Sequence, residues 1–78
     1  MSRYFFDLHN GDGPLIDHEG MELPSRETVT RQVTRILVDV ARDELPTEDR
    51  AIISVKVRNE TGKVISVATL TFASEWFN

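Results

Sequence analysis

The 78-residue chain contains no cysteine. This absence excludes disulfide bonds, thiolate metal sites and cysteine nucleophiles, and it fits a reducing cytoplasm, where we expect the protein to reside. Long hydrophobic runs are also lacking, since no stretch approaches the roughly 18 apolar residues that a membrane span needs. The apolar run at residues 4–6 ends at the acidic Asp7. The sequence therefore predicts neither a signal peptide nor a membrane anchor.

Basic residues are in the minority, with 9 Lys and Arg against 13 Asp and Glu and a net charge of -4. A chain with this balance lacks the electrostatic footprint of a general nucleic-acid binder. The composition, 40% hydrophobic and 28% charged, is that of a globular domain. The length predicts one domain over residues 1–78, and a core of that size gives little stability on its own. We therefore expect a homodimer.

The first third of the chain predicts short strands joined by turns. Residues 3–9 alternate in the period of a half-buried strand. The Asn-Gly and Asp-Gly pairs within residues 10–14 are typical of a tight turn. Residues 15–17 predict a second strand, and residues 21–23 predict a third, short one. A turn at residues 17–20 separates them.

A single helix follows Pro24. Ser25 is its predicted N-cap, because a serine hydroxyl accepts a hydrogen bond from a free amide of the first turn. Glu27 places negative charge near the positive end of the helix dipole. The pair Leu45-Pro46 ends the helix, since the residue before proline avoids helical geometry. Apolar side chains form one stripe at helical spacing: Val29, Val33, Ile36, Leu37, Val40 and Ala41.

Two further strands, residues 51–58 and residues 63–72, form a C-terminal hairpin with a turn at residues 59–62. A three-residue loop that ends in a left-handed glycine pairs Asn59 with Lys63. In that register the apolar residues of both strands share one side. The predicted opposite pairs are Val57 with Ile65, Val55 with Val67, and Ile53 with Thr69.

The predicted fold is α+β, with an antiparallel sheet of about four strands packed against one helix, in the order β-β-(β)-α-β-β. The apolar phase of the last strand changes after Val67, which predicts a bulge or a change of face at residues 67–68. The helical stripe is expected to pack on the apolar side of the hairpin, formed by Ile53, Val55, Val57, Ile65 and Val67.

Three segments of the chain carry a family resemblance. Residues 3–12 read RYFFDLHNGD, residues 17–23 follow a D-x-E-G-x-x-L pattern, and Glu60-Thr61-Gly62 closes the last hairpin. On these segments the chain resembles a domain-of-unknown-function family of short alphaproteobacterial proteins. That family carries no assigned activity, substrate or catalytic residue, so the resemblance implies none.

A second resemblance rests on residues 23–37, LPSRETVTRQVTRIL. This segment is similar to the helix in the N-terminal domain of HicB-type antitoxins, a partial ribonuclease-H-like fold. The resemblance implies an antitoxin-like or nucleic-acid-associated module as an alternative function. The arginines of the segment have a simpler interpretation as the solvated face of the helix, and we expect no nucleic-acid partner.

A polar cluster near the N-terminus is the candidate site for chemistry. Carboxylates and imidazoles are ligands for Zn, Mn or Ni, and histidine also serves acid–base catalysis. The simpler interpretation is an acidic turn stabilised by Asx-type bonds to its own backbone. We therefore predict no metal, no cofactor and no catalytic residue, and keep a metal-binding protein or enzyme as a third alternative. The cluster consists of Asp7, His9, Asp12, Asp17, His18 and Glu19.

Aromatic residues gather at both ends of the chain. Phe5 alternates out of phase with its neighbours, and Trp76 and Phe77 lie past the last strand. One helix covers only one face of a sheet, and monomers rarely expose a large apolar patch, so these three residues predict an interface. The sequence favours a non-catalytic interaction or regulatory protein that acts through a sheet face or edge as a homodimer.

Overall fold

The computed structural model describes residues 1–11, 13–44 and 49–78. The predicted helix end at Leu45 and Pro46 lies outside these residues, as does Asp12. No helix within the three stretches is long and apolar enough to cross a membrane. The predicted α+β fold is confirmed, including the short third strand. The elements are β1 (Ser2–His9), β2 (Pro14–Leu15), β3 (Met21–Leu23), α1 (Arg26–Glu44), β4 (Arg50–Arg58) and β5 (Val64–Ala73).

The strands form an antiparallel sheet in the order β2-β1-β4-β5, with β3 also paired to β1. β2 and β3 pair with opposite ends of β1, and residues 16–20 form the turn between them. β4 pairs along β1 with Phe5 opposite Arg58 and Asp7 opposite Lys56. The first strand of the chain therefore lies inside the sheet, between partners from both halves of the sequence.

The helix begins at a reciprocal cap. The Thr28 N–H donates to Ser25 Oγ at 3.3 Å, and the Ser25 N–H donates to Thr28 Oγ1 at 3.2 Å, which confirms Ser25 as the N-cap. The helix packs its apolar stripe on one face of the sheet. The buried core contains residues of both layers, namely Phe6, Val29, Val33, Ile53, Val55 and Val57.

The turn of the C-terminal hairpin is as predicted. The Asn59 N–H donates to the Lys63 carbonyl oxygen at 2.9 Å, and the Gly62 N–H donates to the Asn59 carbonyl oxygen at 3.0 Å. Gly62 has a φ of 86°, in the left-handed region that this loop requires. The Asn59 Oδ1 also accepts from the N–H groups of Thr61 and Lys63, each at 3.0 Å.

The predicted register beyond this turn is wrong by one residue. Arg58 pairs with Val64 and Val57 pairs with Ser66, so Ile65 is an extra residue in a bulge. The bulge lies before the predicted position and shifts every later pair. The pairs that replace the predicted ones are Val57 with Ser66, Val55 with Ala68, and Ile53 with Leu70.

The bulge decides which side of β5 faces the helix. Ile65 and Val67, predicted for the core, are 37% and 57% exposed. Ala68, Leu70 and Phe72 are instead half-buried on the helix side. β5 carries apolar residues in both phases of its alternation, so the pattern alone does not select one. The observed phase buries a leucine and a phenylalanine, which remove more apolar area from water than the alternative set does.

Candidate functional site

A charged cluster lies on the sheet face opposite the helix, where β1 meets the end of β4. Arg58 donates from Nε to Asp7 Oδ2 at 2.6 Å and from Nη2 to Asp7 Oδ1 at 3.0 Å. This two-bond geometry is a strong form of arginine–carboxylate contact. The bonds from Arg58 hold the pKa of the buried Asp7 below its ordinary range, although burial acts in the opposite direction.

Asp17 fills the gap between β2 and β3 with its side chain. Its Oδ2 accepts from the Phe6 N–H at 3.1 Å, and its Oδ1 accepts from the N–H groups of Glu19 and Gly20, each at 3.1 Å. Burial raises the pKa of Asp17, but the donors of Gly20, Phe6 and Glu19 together outweigh it and lower the pKa. The predicted Asx-type turn is therefore confirmed.

The two carboxylates and the arginine form one connected unit. The Asp17 N–H donates to Asp7 Oδ1 at 3.0 Å, and Arg58 Nη2 donates to the Asp17 carbonyl oxygen at 2.8 Å. We call Asp7, Asp17 and Arg58 the carboxylate–arginine lock. All four carboxylate oxygens of the lock accept from a donor within the chain. The lock therefore has a structural role, in which it holds residues 16–20 against the sheet.

The other predicted ligands lie outside the lock. His9 is exposed on β1 opposite Ser54. His18 and Glu19 are exposed in the turn, where the Glu19 carbonyl oxygen accepts from Arg3 Nη1 at 2.7 Å. Within the part of the chain that the structure describes, no group of three or more His, Cys, Asp or Glu residues has the arrangement to hold a metal ion.

Sequence reasoning missed the role of Arg58. Its partner Asp7 is 51 residues away in the chain, and the two meet because β1 pairs with β4. From the alternation of β4 alone, Arg58 is expected to be a solvent-exposed residue at the end of the strand. The one available signal was Asp7 itself, since an acid in an aromatic strand is costly to bury without a cation.

Phe5 lies between the lock and Gly20. The Arg58 guanidinium carbon is 5.0 Å from the centre of the Phe5 ring, within the range of a cation–π contact. On the other side, a Cβ added at Gly20 would lie 2.8 Å from Phe5 Cε2 and 2.9 Å from the Tyr4 carbonyl oxygen. Phe5 is thus half-buried within its own chain, and its role in an interface stays a prediction.

β5 is the last strand of the sheet and pairs with β4 along one edge. Among the described residues, no strand pairs with its outer edge. The ten residues of β5, VISVATLTFA, include no charged residue and no proline. Natural edge strands usually carry such residues, because an unpaired edge is a template for another strand. We call the outer edge of β5 after its bulge, residues 66–73, the open edge.

The C-terminal tail, residues 74–78, continues past the sheet. The Ser74 N–H donates to the Asp49 carbonyl oxygen at 2.8 Å. Trp76 and Phe77 are 91% and 83% exposed. The Cα radius of gyration is 14.0 Å, above the roughly 11.5 Å expected of a compact chain of this length. Two of the three predicted interface residues therefore lie exposed beyond the last strand.

These features define a small two-layer α+β domain with an internally bonded charge cluster and an unguarded sheet edge. The chain belongs to the family described as Domain of unknown function (DUF6894), which matches residues 3–71. The match confirms the resemblance to a domain-of-unknown-function family. Trp76 and Phe77 lie beyond the matched residues. No curated protein and no solved structure matches the chain.

Proposed function

We propose that this protein is a non-catalytic interaction module that acts as a homodimer, joined by antiparallel pairing of the open edges of two copies. The observation that carries the proposal is the run of ten β5 residues without charge or proline at the end of the sheet. Val, Ile, Thr and Phe make up most of that run, and these residues favour strands. Pairing with a second copy satisfies the unpaired backbone groups without exposing another edge of the same kind.

The geometry of antiparallel strands restricts this dimer. Directly opposite residues point to the same face of a sheet. A two-fold axis between two copies of β5 therefore passes beside a single residue near the strand centre, such as Ala68 or Thr69. The axis is perpendicular to the sheet, so both helices lie on one side. The two sheets then form one continuous sheet, and closed two-fold dimers are the commonest oligomers.

The lock supports a non-catalytic role. Every carboxylate oxygen of Asp7 and Asp17 already accepts a hydrogen bond from within the chain. The third alternative is an enzyme or metal-binding protein built on Asp7, His9 and His18. It requires these side chains to meet at one site, whereas both histidines are exposed outside the lock. An interaction surface requires no such convergence.

The antitoxin-like or nucleic-acid alternative is disfavoured by the pairing of basic side chains. Arg31 Nη2 lies 3.0 Å from Glu27 Oε1, and Arg42 Nη1 lies 3.4 Å from Asp39 Oδ1. The positive charges of these two helix arginines are therefore partly neutralised by carboxylates of the same helix. With a net charge of -4, little positive field remains for phosphates. We propose a bacterial cytoplasm as the setting, in keeping with the cysteine-free composition.

The test is the oligomeric state of two matched variants. Ser54 and Thr69 lie directly opposite each other on adjacent strands, and their hydroxyl oxygens are 3.1 Å apart. Thr69→Lys and Ser54→Lys therefore lose the same contact and add the same charge to the same face. Only Thr69 lies on the open edge, where the proposed axis would bring two added lysines together.

Light scattering coupled to size exclusion gives the result. We expect the wild type and Ser54→Lys to have about twice the chain mass of 8.9 kDa, and Thr69→Lys to have the mass of one chain while its circular dichroism stays native. A wild type of single-chain mass throughout a micromolar dilution series would overturn the proposal. So would a Thr69→Lys variant that dimerises as tightly as Ser54→Lys.

A further inference from the structure

We propose that the tail of each copy crosses to the other copy in this dimer and places Trp76 in a groove between the start of α1 and β5. This inference rests on the proposed edge-paired dimer and adds a second contact to it. The groove has a volume of about 140 Å³ and is lined by Tyr4, Arg26, Val29, Thr30, Ile65 and Ser66.

The direction of β5 brings the tail to this groove. In an antiparallel pair centred on Thr69, Thr71 of one copy lies opposite Val67 of the second copy, and Ala73 comes beside Ile65 of the second copy. Ile65 lines the groove. Trp76 is three residues beyond Ala73, and because three residues span at most about 10 Å, it lies no farther than that from the position beside Ile65. The tail therefore passes the mouth of the groove without any change in the body of either copy.

The alternation of β5 puts Trp76 on the correct side of the sheet. Ala68, Leu70 and Phe72 are on the helix side, so an extended continuation places Ser74 and Trp76 on that side as well. The two-fold axis is perpendicular to the sheet, and the helix of the second copy lies on the same side. The indole consequently faces the groove rather than the opposite, open face.

The chemistry of the groove suits a tryptophan. Val29 and Ile65 supply apolar walls, and the Tyr4 ring adds an aromatic surface. Within the described part of the chain, no carboxylate lies within ion-pair distance of Arg26, so its guanidinium is available to stack on an indole.

A second groove is larger but out of reach. It measures about 430 Å³ and is lined by apolar residues that include Phe6, Leu8, Leu15 and Ile36. This groove lies along β2, at the edge of the sheet farthest from β5. A tail that leaves the open edge of one copy meets the α1–β5 groove of the second copy first.

Trp76 is the single tryptophan of the chain, so its fluorescence reports on this contact alone. The experiment measures chain mass, emission maximum and acrylamide quenching on the same samples. The groove variant is Ile65→Ser, and Val38→Ser is its control, because Val38 is an exposed valine on the helix away from the groove. Thr69→Lys supplies the monomer, in which the tail has no second copy to reach.

In the wild-type dimer we expect a blue-shifted emission and several-fold weaker quenching than in the Thr69→Lys monomer. Ile65→Ser should restore an exposed signal while the dimer persists at high concentration, whereas Val38→Ser should not. Trp76→Ala should weaken the dimer by roughly tenfold or more, as buried tryptophans at interfaces do.

The outcomes separate the two proposals. A wild type with the mass of a dimer but an exposed tryptophan would overturn the tail contact and leave the edge pairing intact. A protected tryptophan that Ile65→Ser does not change would place it outside this groove, and would also overturn the inference. A protected tryptophan in the Thr69→Lys monomer would show that the tail folds onto its own chain. A wild type of single-chain mass would overturn the dimer itself.

Discussion

Gly20 is the one glycine of the four at which an added Cβ would meet other atoms within 4 Å, and its substitution by alanine gives a prediction with a worked magnitude. Gly20 has a φ of 72°, and Gly62 has a φ of 86°. An alanine in the left-handed region costs about 1–2 kcal/mol at either position. A Cβ at Gly62 meets nothing within 4 Å, whereas a Cβ at Gly20 would meet the Phe5 ring at 2.8 Å and a backbone oxygen at 2.9 Å.

Gly20→Ala must therefore also displace Phe5 from its place under Arg58 or shift the β1 backbone. Overpacking of this kind costs about 1–3 kcal/mol. We expect a loss of about 2–5 kcal/mol in the free energy of unfolding for Gly20→Ala, against about 1–2 kcal/mol for Gly62→Ala. Urea denaturation at one fixed protein concentration measures both, because the stability of a dimer depends on concentration.

Equal losses for the two alanine variants would refute this reasoning, since the φ penalty is common to both. A smaller loss for Gly20→Ala would show that residues 16–20 do not pack on Phe5. Either result would also remove the basis for treating Phe5 as covered by its own chain.

Three further predictions follow from the core and the lock. Ile53→Ala should lower the free energy of unfolding by about 2–5 kcal/mol, because Ile53 is fully buried. Ile52→Ala, at the exposed neighbouring position, should change it by no more than about 0.5 kcal/mol. The pKa values of Asp7 and Asp17 are lowered in the folded state, so the unfolded chain takes up protons first as the pH falls. Their stabilisation is then complete above the ordinary carboxyl pKa of about 3.9, and it is lost as the pH falls from there through the lowered values. Urea titrations from pH 7 to pH 3 should show this loss, with a shallower slope for Asp7→Asn. Thermal melting should be unchanged by a strong chelator.

Each of these has a result that contradicts it. Equal losses in the free energy of unfolding for Ile53→Ala and Ile52→Ala would contradict the packing of the helix on the Ile53 face of the sheet. A loss of stability in acid that is equally steep in the wild type and Asp7→Asn would mean that Asp7 contributes nothing to the pH dependence. A large drop in the melting midpoint with chelator, reversed by one divalent ion, would return the acidic turn and His18 to the centre of the function.

The elements of this fold are local in origin, and local features predicted them. Ser25 sets the start of the helix, and Gly62 sets the geometry of the last turn, because a cap and a left-handed glycine act within a few residues of themselves. The Asx-type turn at Asp17 could be predicted for the same reason, because its side chain bonds to backbone groups two and three residues further on. The apolar stripe of the helix followed from spacing alone.

The register of β5 and the lock depend on contacts between distant residues. Both phases of β5 carry apolar residues. The bulge at Ile65 selects the phase in which Leu70 and Phe72 face the helix, in place of the phase that contains Val67. Arg58 acquires its role from the pairing of β1 with β4, which no single segment encodes. The open edge is an uncharged run in the sequence, but only the sheet order shows that β5 is the last strand of the sheet.

The position of β1 has a consequence for how the chain reaches its native state. β1 is made first, but its main partner β4 begins at Arg50, so the sheet cannot close until most of the chain has left the ribosome. At about 5–20 residues per second, Val57 follows its partner Phe6 by several seconds. In refolding, the helix and the β4–β5 hairpin form from near neighbours, while docking of β1 must close a loop of more than 40 residues. We therefore expect the Asp7–Arg58 contact to form late in the folding of each chain, so substitutions at it should speed unfolding more than they slow refolding.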